Sequence, residues 1–366
     1  MLPSRSRQVR TPSGQARTPL RTARGPFRRA RGAAVVCAAL VLAAGGCTTF
    51  SSAGRDHYRS LDTGPPTTAA ATQEAREAPY DLTPLLRPAG GKKYLGVAAE
   101  GLPGSLEPLR TFAAQAGRQP NLVGYYAAWG DRFDEGAAAA VWHEGALPMI
   151  SWEPHTTPLA DIAAGRSDDY IRSYAEAVRE LNLPVAISFA HEMNGDWYPW
   201  GTKKATPAEF TAAWKRTHDL FEKAGARSVI WVWTPNVVNP MPQVKLKPFW
   251  PGEKYVDWVG VIGYYAKHGP TTFETLFDPT LRQIRTFTRK PVVIPETASE
   301  GGERKPADIE DLFRGVEKRP DVLGFIWFDY DKEADWRISS GPLARRTFRE
   351  QARGSAAFGF DPGKLR

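Results

Sequence analysis

Cysteine is nearly absent: the 366 residues hold two, Cys37 and Cys47. Both lie before residue 48, so the remainder can form neither a disulfide nor a thiolate metal centre. A fold without such staples rests on its core, and about 260 residues suffice, burying about three quarters of their unfolded surface. A membrane-spanning run is missing too. Residues 33–44, AAVVCAALVLAA, are apolar but number only 12, short of the ~20 a spanning helix needs. His191-Glu192 is not a zinc motif, because HExxH would need His at 195, which is Gly. There is no glycine-rich phosphate loop and no serine in a nucleophile elbow. His155, His218 and His268 are scattered. No metal and no cofactor are expected.

Acidic residues are absent from residues 1–32, which hold nine Arg. A basic region, a short apolar core and small residues describe a secretory signal. The core ends in Ala44-Gly45-Gly46-Cys47, which looks like a lipoprotein cleavage box with Cys47 becoming the lipidated N-terminus. An ordinary signal peptide cut nearby, giving a secreted protein, is the alternative. Removing nine Arg from 48 basic and 40 acidic residues leaves 39 against 40. The net charge of +8 and the pI of 9.4 therefore belong to the leader. They point to no nucleic-acid partner, which would need a basic patch on the folded domain.

The chain then divides into four expected segments: leader 1–46, disordered tether 47–90, catalytic domain 91–355 and tail 356–366. The tether follows from GPPTTAAATQEAREAP, which has almost no large apolar residues. From residue 94, apolar runs alternate with helical patterns. Strands are expected at 94–98, 122–127, 148–152, 185–190, 228–233, 257–263, 291–295 and 322–328. Helices are expected near 106–117, 135–144, 168–182, 207–224, 275–288, 306–318 and 342–353. Eight strands alternating with helical patterns predict a single (β/α)₈ barrel, with its site at the C-terminal ends of the strands. A monomer is expected.

One stretch stands out, residues 184–201, PVAISFAHEMNGDWYPWG. A buried-strand run stops at His191-Glu192, and Asn194, Asp196, Trp197, Tyr198 and Trp200 follow. Indole faces stack on the C–H faces of pyranose rings, and His, Asn and Asp hydrogen-bond hydroxyls. A second carboxylate, Glu296, ends the strand in KPVVIPETAS. Glycoside hydrolysis needs two carboxyl groups flanking the bond. Aromatic residues recur at the other strand ends: Trp129, Trp152, Trp233 with Asn236, Tyr264, and Trp327. Six strands delivering an aromatic to one rim suggest a sugar-binding face.

HEMNGDWYPW on the fourth strand, with IPETAS on the seventh, resembles glycoside hydrolase family 26. The resemblance covers about residues 91–352. It implies a retaining β-glycanase on a TIM barrel, with endo-β-1,4-mannanase the commonest activity. It implies Glu192 as acid/base and Glu296 as nucleophile. His191 would line the sugar site, Tyr264 would bond the nucleophile, and Trp197 would lie on the leaving-group side. Trp152 and Trp327 would form the platform for the cleaved sugar, and Asp335-Trp336-Arg337 a loop. Two departures bear on substrate: Glu153 follows Trp152 where the mannanases have histidine, and Ile262 stands where Asp is common. The implied partner is a β-linked polysaccharide, mannan or glucomannan, besides the membrane reached through the lipid. Mixed-linkage glucan, β-1,3-xylan and non-catalytic glycan binding are the alternatives.

Overall fold

The computed structural model describes residues 80–365. The expected leader, Cys37, Cys47 and the tether up to residue 79 lie outside the described residues. Eight parallel strands close into a barrel in sequence order. They are β1 (Tyr94–Ala99), β2 (Leu122–Ala128), β3 (Leu147–Glu153), β4 (Val185–Phe189), β5 (Val229–Trp233), β6 (Trp258–Gly260), β7 (Val292–Thr297) and β8 (Val322–Asp329). The barrel is sealed between β1 and β8, from Tyr94↔Gly324 to Ala99↔Asp329. That seam needs glycine at 324: its φ is 149°, and a Cβ would lie 2.1 Å from Tyr94 O.

The helices between strands form where the apolar spacing and caps place them. Pro207–Ala224 opens with a capping box. Glu209 N–H donates to Thr206 Oγ1 (3.2 Å), and Thr206 N–H donates to Glu209 Oε2 (2.7 Å). Gly225 at φ 76° ends it, taking the left-handed cap that glycine adopts freely. The expected helix 275–288 is instead two short ones, Phe273–Leu276 and Asp278–Ile284. Pro279 explains the break, since its missing N–H and its ring oppose a continuous helix. β6 is also shorter than expected.

The N-terminal edge of the domain departs from expectation. Residues 80–90, placed in the tether, pack on the barrel instead: Thr83–Leu86 is helical and Leu85 is fully buried. Tyr94 Oη donates to Leu85 O (2.9 Å) and Trp258 Nε1 donates to Leu86 O (3.0 Å). The tail is also docked: Phe358 is buried, and Phe360 meets Tyr94 at 4.8 Å between ring centroids. Their apolar side chains are the reason, and together they cover the strands' N-terminal end. The opposite end is left for the site.

Candidate active site

β4 stops at Phe189, and the backbone beyond it turns sharply. Ala190 (φ 48°) and Glu192 (φ 55°) are left-handed, which costs residues with a Cβ about 1–2 kcal/mol each. Hydrogen bonds hold the turn: Ala190 N–H donates to Trp152 O (3.0 Å) and Glu192 N–H to Thr234 O (2.6 Å). Such strain persists where the surroundings over-determine it, and it gathers at functional sites. Glu192 Oε2 accepts from Trp197 Nε1 (2.6 Å). Its Oε1 accepts from Asn236 Nδ2, just past β5. Trp197 can fold back because residue 195 is glycine: a Cβ there would lie 2.4 Å from the indole. The other side of that indole is open, and Trp197 is 44% exposed.

Glu296 sits where β7 loses register with β8, between Ile294↔Phe325 and Thr297↔Trp327. Irregularities of this kind re-aim side chains beside active sites. Tyr264 donates to Glu296 Oε1, and Tyr126 on β2 donates to Oε2. Glu192 and Glu296 line one cleft of about 440 Å³ with Tyr126, Glu153, Tyr198 and Trp336 among its walls.

The two carboxyls have different surroundings. Burial first, and then the charge of Glu296, push Glu192 up to about 7. Against the ordinary 4.5, that is about 3 kcal/mol opposing ionisation in place. Burial also raises Glu296, while the Tyr126 and Tyr264 hydroxyls pull it back down. Burial and the Glu296 charge hold both phenols far above their usual range, so they remain donors. His191 is fully enclosed and pushed down to about 3, by burial and then by His155. It is neutral at working pH, with Nε2 3.2 Å from Tyr198 Oη. The arrangement pairs a carboxylate held by two O–H donors with a carboxylic acid that keeps its proton to near neutrality.

The model of glycosyl hydrolase family 26 matches residues 164–288. Endoglucanase H of Acetivibrio thermocellus is 30% identical over 258 residues, covering 66% of this chain and 28% of that protein. The segment that carries Glu192 thus matches glycosyl hydrolase family 26. A mannan endo-1,4-β-mannosidase A of Piromyces is 24% identical over 186 residues, 44% of this chain and 27% of its own length. The chain thus spans less than a third of either relative. The catalytic domain of a Bacillus sp. JAMB-750 family 26 endo-β-1,4-mannanase shares the fold. It superposes with a TM-score of 0.59 at 16% identity, covering 76% of this chain and 90% of that one.

Within this barrel, Glu192, Glu296 and Tyr264 line one cleft, Trp197 is bonded to Glu192, and His191, expected to line the sugar site, is buried beside Glu153 and Tyr198. Four tryptophans lie outside the cleft. Trp152 is fully buried, stacked on Tyr174 at 4.2 Å, and its Nε1 donates to Tyr170 Oη. Trp129 packs on Trp152 at 4.4 Å. Trp233 is buried and donates to Phe249 O (3.0 Å). Trp327 is buried and donates to Trp336 O (3.0 Å). The reason is alternation, since successive strand residues face opposite sides. Trp152 faces the helices and Glu153 the cleft; Trp327 faces the helices and Phe328 the cleft. The tryptophan that does line the cleft is Trp336, 4.9 Å from Tyr264 between centroids. Its loop is pinned by Trp327 beneath and by Asp329, which accepts from Ile338 N–H at 2.7 Å. Asn194, expected to touch sugar, is buried with both polar atoms used. It accepts from Asn236 N–H (2.8 Å) and donates to Asn236 O (3.0 Å), so it clamps the residue that holds Glu192.

Tyr198, named in the loop after β4, lines the cleft; sequence reasoning missed Tyr126, Phe328 and Lys332 and set His155 aside as scattered, yet all four line it too. A signal for Tyr126 existed: GYYAAWGD holds consecutive tyrosines, and alternation forces one of them inward. Tyr125 packs in the core and Tyr126 faces the cleft.

Proposed function

We propose that this chain is a retaining β-glycan hydrolase, acting as an endo-β-1,4-mannanase on mannan or glucomannan. The observation that carries the reading is the pair Glu192 and Glu296 in one cleft, the first kept protonated and the second held by two phenols. Glu296 attacks the anomeric carbon while Glu192 gives its proton to the leaving oxygen. Tyr264 and Tyr126 hold Glu296 in line. Trp197 offers its open face to the departing sugar. Once Glu296 is esterified its charge is gone, so Glu192, which has already given up its proton, stays ionised and activates water as a base.

A second reading, β-glucan cleavage, is favoured by the 30% likeness to a protein named endoglucanase H. Glu153 in the cleft adds to it. Hydrolysis of mannan, glucomannan, mixed-linkage glucan and β-1,3-xylan with product sizing is the test. Release of short manno-oligosaccharides is expected. Activity on mixed-linkage glucan with none on any mannan moves the assignment to the second reading. Binding without hydrolysis of any of the four overturns both.

The protein's site of action is proposed to be the cell surface, through lipid on Cys47. A single acyl chain binds membranes only marginally, so the several chains of a lipoprotein would be required. The full chain should fractionate with membranes, and Cys47→Ala should release it. Wild-type protein wholly soluble in the medium, with an N-terminus other than Cys47, refutes the anchor.

A further inference from the structure

Glu153 is a third carboxylate in the cleft, and its two oxygens are unequally served. Oε2 is 3.0 Å from His155 Nε2. Among the described residues Oε1 has no donor in hydrogen-bond range; His191 Nε2, on a neutral ring, stands 3.8 Å away. The His191 nitrogen is already engaged with Tyr198 Oη. The side chain is largely enclosed, 14% exposed. Its backbone is fixed on both sides, with Glu153 O accepting from Trp129 N–H and His155 N–H, each at 2.9 Å. His155 is itself braced against Trp200, 4.9 Å between centroids. A rigid, partly buried acceptor therefore faces the cleft with one oxygen open to whatever the cleft holds. Burial raises the Glu153 carboxyl, and His155 and then Lys332 pull it down.

A sugar chain supplies donors for that oxygen. Within a β-1,4-linked hexopyranan, C1 and C4 are used by the linkages. The ring's one pair of adjacent free hydroxyls is then at C2 and C3. C2 is also the single centre at which mannose and glucose differ. A 1,3-linked chain leaves no adjacent pair. We propose that Glu153, held by His155, is the specificity-determining residue of this cleft. It accepts hydrogen bonds from the C2 and C3 hydroxyls of the ring seated against it, and so chooses between manno and gluco stereochemistry. This rests on the glycan-hydrolase reading above.

The test compares wild type with Glu153→Gln on β-1,4-mannotetraose and cellotetraose, taking kcat/KM for each. Gln keeps the shape and removes the charge. A hydrogen bond to a charged group carries about ten- to a hundredfold in equilibrium, so the preferred stereoisomer should lose about that much. The other should lose little, and the ratio between the two should shrink. His155→Gln, which frees the carboxylate without removing it, should give a smaller change in the same direction. Equal losses on both substrates, or a ratio within about twofold of wild type, would overturn the inference and leave the hydrolase reading standing. Wild type inactive on both tetrasaccharides and on the four polysaccharides would bring down both.

Discussion

Glu296→Ala is expected to lose turnover on every substrate, by on the order of 10⁴-fold or more. In the proposed mechanism no other group can form the glycosyl intermediate. Tyr126 and Tyr264 stay above the vacancy, but a protonated phenol is a poor nucleophile, and burial keeps both protonated. The variant should still fold. It leaves two phenols without an acceptor, at about 1–3 kcal/mol, while relieving a buried carboxylate that faces Glu192 and Glu153. An unchanged melting temperature with no turnover therefore separates a chemical role from a structural one. Steady-state rates on the best polysaccharide check it. Activity within about tenfold of wild type would place the chemistry elsewhere.

The barrel was legible because its signals are local and redundant. Eight apolar runs alternate with capped amphipathic stretches, and Thr206-Pro207-Ala208-Glu209 fixes a helix start by itself. The two carboxylates were legible for a related reason: each ends an apolar run, at the rim where a barrel's loops gather. The site's walls were harder to read. Strands of a parallel barrel are apolar on both faces, so composition does not say which of two neighbours faces inward. Trp152 beside Glu153 and Trp327 beside Phe328 were resolved only by the strands' registers. Trp336 was hidden for another reason. It arrives on a loop whose path depends on Trp327 and Asp329, each bonded to a residue nine positions on, and on the Asp335–Arg337 pair within the loop. Leu85 falls in a segment that looks unstructured by composition, yet finds cover on the barrel's closed end.

Glu192→Ala should behave differently from Glu296→Ala, and the difference assigns the roles. Wild type should lose kcat/KM as pH rises through about 7, because the acid must carry a proton and burial holds Glu192 at about 7. Below its own, separately set value Glu296 takes up a proton and stops attacking, which closes the acidic side of a bell. Removing Glu192 should remove the alkaline limb. Turnover of polysaccharide should fall by about 10²–10⁴, since an alkoxide departs slowly without a proton. A dinitrophenyl glycoside needs little protonation, so its first step should survive while hydrolysis of the intermediate slows. The time course should show a burst of dinitrophenol followed by slow release. Azide needs no general base: it should speed the slow phase and leave a β-glycosyl azide, because it meets the intermediate from the face Glu192 vacated. Azide added to Glu296→Ala should instead give the α-glycosyl azide, entering where the carboxylate stood. The two stereochemical outcomes exchanged between the variants would mean that Glu192 is the nucleophile and Glu296 the acid. A Glu192→Ala enzyme that keeps both the alkaline limb and the wild-type rate would remove Glu192 from the chemistry altogether.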